Sequence, residues 1–137
     1  MNRLILKTFV FSLLGLCILV VAGFKLKKKE LYGKWVYDSR KGDMYIYKKV
    51  DSLKTRGIVF ERRGKMHERK NSGWCGTPPI SYANYDGSWK VLNDSVVQVS
   101  TAYWGGKQSY QMVVKSVTDD TLMFRMENET FEDRSPR

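Results

Sequence analysis

After residue 30 the chain alternates apolar and polar residues in short runs. Gly33–Asp38 places Trp35 and Tyr37 on one face, and Met44–Lys49 does the same with Tyr45 and Tyr47. Ile58 and Phe60 alternate with Val59 and Glu61, and Arg63-Gly64 supplies a hairpin turn into Lys65–Lys70. Gly87–Leu92 groups Trp89 with Val91, and Asn93-Asp94 turns into Ser95–Ala102, where Val97 and Val99 share a face. Gly105-Gly106 leads into a strand carrying Tyr110, Met112 and Val114. Asp119-Asp120 then leads into Leu122, Phe124 and Met126. A period of two with turn signals about every ten residues predicts about eight strands in an all-β barrel or sandwich. No long 3.6-residue period occurs here, which excludes parallel βαβ units. Lys65, His67 and Arg69 alternate with Met66, Glu68 and Lys70, so that strand has no lipid-facing side and a water-soluble barrel is expected.

Two stretches break the pattern. Asn71–Asp86 mixes prolines, glycines and aromatics and reads as an ordered loop packed on the barrel. Glu127–Arg137 is charged and reads as a frayed end.

The N-terminal part is of another kind. Thr8–Phe24 is uncharged throughout, with Arg3 and Lys7 before it and Lys25, Lys27, Lys28 and Lys29 after it. As a helix, its 17 residues span roughly 25 Å, near the short limit for a bilayer. Three readings stay open: a retained anchor, a secretory signal cut near Gly23, and a lipoprotein signal at Cys17. The last has bulky Leu16 where a small residue is expected. Counting flanking charge leans slightly towards a cytoplasmic domain, whereas the signal-like shape favours the outside. The organisation is therefore 1–29 as signal or anchor in one hydrophobic helix, 30–127 as the barrel, and 128–137 as a charged tail.

Charge changes the picture once it is divided. The chain carries +10, but residues 1–29 hold six of the 24 Lys and Arg and none of the 14 acids. The remainder carries 18 against 14, or +4, which weakens a nucleic-acid reading. The basic run of Lys54, Arg56, Arg62, Arg63, Lys65, Arg69 and Lys70 fits an anionic lipid or polymer at a membrane surface better than an oligonucleotide.

Candidate chemistry is sparse. His67 is the one histidine, and its position on a basic strand suits a surface residue. Of two cysteines only Cys75 follows the apolar run, so a disulfide within the domain and a metal cluster of cysteines alone are excluded, a zinc site is not expected, and a buried structural thiol is. Asp119-Asp120 suits a turn, where Asp bonds the backbone. No catalytic residue, metal or cofactor is expected, and residues 30–137 should fold alone. The aromatics are more suggestive. Most should fill the core, but Trp74, Tyr82 and Trp104 fall on expected loops and are the candidates for a ligand-binding mouth.

Leu31-Tyr32-Gly33-Lys34-Trp35 is similar to the opening Gly-x-Trp of lipocalins. The hairpin Ile58–Lys65 looks like the next landmark of small bacterial lipocalin-like domains. Gly73-Trp-Cys-Gly-Thr-Pro-Pro79, Gly87-Ser-Trp89 and Tyr103-Trp-Gly-Gly106 resemble landmarks of an uncharacterised, exported subset of them. The resemblance covers roughly residues 31–126. It implies an eight-stranded antiparallel barrel in the cell envelope, with Trp35 pointing inward to close one end. It also implies an apolar small-molecule ligand or a partner protein. A structural component with a filled barrel is the alternative, and the short chain leaves little room for a large calyx.

Overall fold

A computed structural model of the chain describes residues 23–134. The expected hydrophobic helix over Thr8–Phe24 lies outside the described residues except at its last two positions. Among the described residues no helix is long and apolar enough to cross a membrane.

Among the described residues eight strands form: β1 Gly33–Lys41, β2 Met44–Val50, β3 Gly57–Phe60, β4 Lys65–Asn71, β5 Tyr82–Val91, β6 Val96–Tyr103, β7 Gly106–Val117 and β8 Thr121–Asp133. All neighbours are antiparallel, and they close into a barrel in the order β1-β2-β8-β7-β6-β5-β4-β3. Strands β3 to β8 follow one another round the wall as the turn signals predict. The order departs from a simple up-and-down meander at one place, because β1 sits between β2 and β3. Asp51–Arg56 must therefore cross β1 from one end of the barrel to the other. Gly57 alternates with core-facing Ile58, so its bare face is outside. A Cβ there would collide with the Trp35 carbonyl oxygen and the Leu53 side chain, so glycine makes room for the crossing.

Alternation sets the core. Trp35, Tyr47, Ile58, Phe60, Met66, Trp89, Val97, Val99, Tyr110, Met112, Val114, Leu122 and Phe124 point inward and form one cluster with Leu26 and Leu31. One end is plugged. Trp35 is fully buried there, and its indole N–H donates to the Leu31 carbonyl oxygen at 2.8 Å. Trp89 donates to the carbonyl oxygens of Glu61 and Lys65 at 3.0 and 2.9 Å, and Phe60 and Tyr32 meet its ring edge-on. The ammonium groups of Lys49 and Lys28 lie over the Trp35 and Trp89 rings at 5.1 and 5.3 Å.

Several boundaries differ from the sequence reading. Leu26 is buried, and its backbone N–H donates to the Asp94 carbonyl oxygen at 2.7 Å. The barrel therefore takes in residues before 30. β5 starts at Tyr82, inside the expected loop, because β4 supplies its backbone partners from Lys65 to Asn71. β8 continues to Asp133, through the segment read as frayed. There Gly106–Ser109 of β7 pair with Thr130–Asp133, past a bulge where Asn128 takes a φ of +51°. Arg134 N–H donates to the Gly105 carbonyl oxygen at 2.8 Å, and the Tyr103 hydroxyl donates to Asp133. Cys75 is exposed rather than buried.

Candidate functional site

The end opposite the Trp35 plug is open. The strands that reach it bring inward residues of a new kind. On β4 the face that buries Met66 continues to Glu68 and then Lys70. On β6 the face of Val97 and Val99 continues to Thr101, and on β7 Gln108 precedes Tyr110 on the same face. Register places Thr101 opposite Gln108 and Val99 opposite Tyr110.

These side chains form one network. The Lys70 ammonium donates to Glu68 Oε2 at 2.9 Å, Gln108 Oε1 at 3.0 Å and Thr101 Oγ1 at 3.1 Å. The Tyr110 hydroxyl donates to Glu68 Oε1. All three ammonium protons thus have acceptors, and both carboxylate oxygens accept a bond. Among the described residues no buried side-chain nitrogen or oxygen is left without a partner. Glu68 and Thr101 are the polar residues among the buried set, so this network is a polar floor laid on an apolar core.

Above the floor lies a half-open cavity of about 280 Å³, lined by Ile58, Met126, Tyr47, Arg56 and the network residues Glu68, Lys70, Gln108 and Tyr110. Arg56 stands at its rim. Its guanidinium carbon sits over the rings of Tyr37 and Tyr45 at 4.7 and 5.8 Å, and beside the Tyr47 hydroxyl. Burial opposes the Arg56 charge, but Tyr47, Tyr45, Glu68 and Tyr37 outweigh it and hold its pKa above the ordinary value. The Tyr47 phenol is pushed up to about 12, chiefly by burial, with Arg56 acting in the opposite sense. Tyr110 is also raised well above its ordinary value, first by burial and then by Glu68.

The three residues read from sequence as a mouth all stand at this open end, but none lines the cavity. Trp74 is 81% exposed in the 72–81 loop, and Trp104 is 51% exposed in the β6–β7 turn. Tyr82 is half-buried at the start of β5, with the Arg69 guanidinium 5.9 Å from its ring. The structure links Trp104 to Tyr103, and Tyr103 to Phe131, by edge-on contacts. His67 faces outward, with Nδ1 3.9 Å from Glu61 Oε1. Two hydrogen bonds from Thr77 hold the exposed Cys75 thiol below its ordinary pKa. Among the described residues no group of three or more His, Cys, Asp or Glu is arranged to hold a metal ion.

Comparison of the chain with protein-family models, with curated proteins and with solved structures gives no match. Function is therefore argued from the site itself.

Sequence reasoning passed over Arg56, Glu68, Lys70, Gln108 and Tyr110 as a group. One local signal for them exists: Glu68 and Lys70 are two and four residues from Met66, on its face of β4. The basic run, by contrast, is divided by the fold. Arg62, Arg63 and Lys65 lie at the plugged end and Arg56, Arg69 and Lys70 at the open end, so they form no single basic face.

Proposed function

We propose that this chain is a non-catalytic envelope protein, exported or membrane-anchored, whose barrel is lipocalin-like and binds a small molecule at its open end. The half-open cavity over the Glu68–Lys70–Tyr110 floor carries this reading. A volume of about 280 Å³ is near the lower edge of ligand pockets, so the guest is small. Ile58 and Met126 give the lining apolar contact, and Arg56 and Gln108 give it polar contact. An amphipathic guest fits that lining better than a wholly apolar one. The non-catalytic reading is supported by the engagement of the one carboxylate in the floor, each of whose oxygens already accepts a bond, from Lys70 and from Tyr110.

A second reading is a structural component whose barrel needs no guest. Its support is that every buried side-chain nitrogen and oxygen among the described residues has a partner with no guest present. Protein-observed methyl NMR on the full-length protein in detergent, with a library of small polar and amphipathic molecules, separates the two. Binding that perturbs the Met126 and Ile58 methyl signals is expected. A library that leaves those signals unmoved favours the structural component.

A further inference from the structure

The charges at the open end are unequal in their engagement. Glu68 and Lys70 neutralise each other within the floor, and each Lys70 proton is already donated. Arg69 donates to the Lys54 carbonyl oxygen at 3.1 Å and to Asn84 Oδ1 at 3.2 Å. Arg56 differs. Like Arg69 it has no carboxylate within ion-pair distance among the described residues, but its guanidinium is held by no carbonyl or amide oxygen and has only the Tyr47 hydroxyl beside it in the same cavity.

Two features set Arg56 apart from a merely solvated surface arginine. Tyr37 and Tyr45 lie beneath its guanidinium, which limits where the group can go before any ligand arrives. The cavity also gathers three cations, Arg56, Arg69 and Lys70, against the single acid Glu68, so its potential is positive. The floor adds neutral donors. Gln108 uses only its oxygen on Lys70, which leaves its amide N–H groups free.

We propose that the open end binds a small organic carboxylate, with the anionic group paired to Arg56 and the rest of the molecule against Ile58, Met126 and Gln108. Planar guanidinium presents two parallel N–H donors that match a carboxylate. Lys70 does not compete for the anion, because it has no proton left to offer. This inference rests on the ligand-binding reading above and adds the chemical class of the ligand.

The test is a matched panel on the full-length protein in detergent: phenylacetate with phenylacetamide, hexanoate with hexanamide, and inorganic phosphate. Titration calorimetry gives affinities, and the Met126 and Ile58 methyl signals report the place of binding. The acids should bind about tenfold to a hundredfold more tightly than their amides, and more tightly than phosphate. Arg56→Gln should remove that preference while the amides bind as before. Arg56→Lys, which keeps the charge but not the fork, should restore only part of it. Arg62→Gln, at the plugged end, should leave the preference intact. Amides that bind as well as acids, or a preference that survives Arg56→Gln, overturn the carboxylate assignment and leave a ligand site standing. Phosphate bound more tightly than both acids also overturns it. A panel in which nothing moves the cavity signals overturns this inference and the ligand-binding reading together.

Discussion

Trp35 and Trp74 are the same side chain in opposite situations. Trp35 is fully buried with its indole N–H bonded to Leu31, while Trp74 projects into solvent from a loop. Trp35→Ala should leave a cavity at the plugged end and cost about 3–5 kcal/mol. Trp74→Ala should change stability by less than about 0.5 kcal/mol. Urea denaturation of both variants measures the contrast. An unchanged midpoint for Trp35→Ala would contradict the plug. Tyr47 sets the behaviour in alkali. Its folded pKa of about 12 stands above the unfolded value of 10.0 because burial favours the neutral phenol. The unfolded chain therefore loses this proton first. The associated stability is complete below pH 10 and is lost as the pH rises through 10 towards 12, by about 2 kcal/mol. Urea midpoints at pH 8, 10 and 11.5 should fall in that order, and Tyr47→Phe should fall less steeply.

A glycine lets β5 lie close against β6. Gly87 of β5 faces Thr101 of β6, and a Cβ on Gly87 would collide with the Ser100 carbonyl oxygen and with Thr101. Gly87→Ala should push the two strands apart just where Thr101 receives its bond from Lys70. Faster amide exchange at Ser100–Ala102 and a lower thermal midpoint are the expected outcomes. Unchanged exchange there would show that the wall yields without cost. The strands themselves were legible because most have one buried face, and the inward residues Trp89, Val97, Val99, Met112, Leu122 and Phe124 announce it. The far parts of β5 and β8 were not. Tyr82–Asp86 and Glu127–Asp133 lack a buried apolar face, and they are strands because β4 and β7 complete their backbone hydrogen bonds. The site failed to appear for a related reason. Glu68 and Lys70 can be placed inward from Met66, but Tyr110, Thr101 and Gln108 reach them only through the register of strands 31 to 42 residues away. The crossing of β1 by Asp51–Arg56, which carries Arg56 to the mouth, has no local signature at all.

At the level of the whole molecule, the barrel begins earlier than its first strand. Leu26 closes the plugged end beside Leu31, and Lys28 covers Trp89. A chain that starts at residue 23 should therefore be more stable than one that starts at residue 30. Loss of the Leu26 side chain alone should account for about 2–3 kcal/mol of the difference. Thermal unfolding of the two truncations beside Leu26→Ala checks this. Equal midpoints for all three would return the domain boundary to residue 30.

Leu26 also fixes where the preceding chain must leave. Its bond to Asp94 holds residue 26 at the plugged pole, and the cavity lies at the other. With Thr8–Phe24 retained as an anchor, the protein stands as a cup on a stalk, base towards the lipid. Its rim is then held off the surface by the height of the barrel, on the order of 30 Å. If the proposed ligand site holds, a cup mounted that way would draw its cargo from the surrounding water. It is badly placed to lift molecules out of the bilayer beneath it.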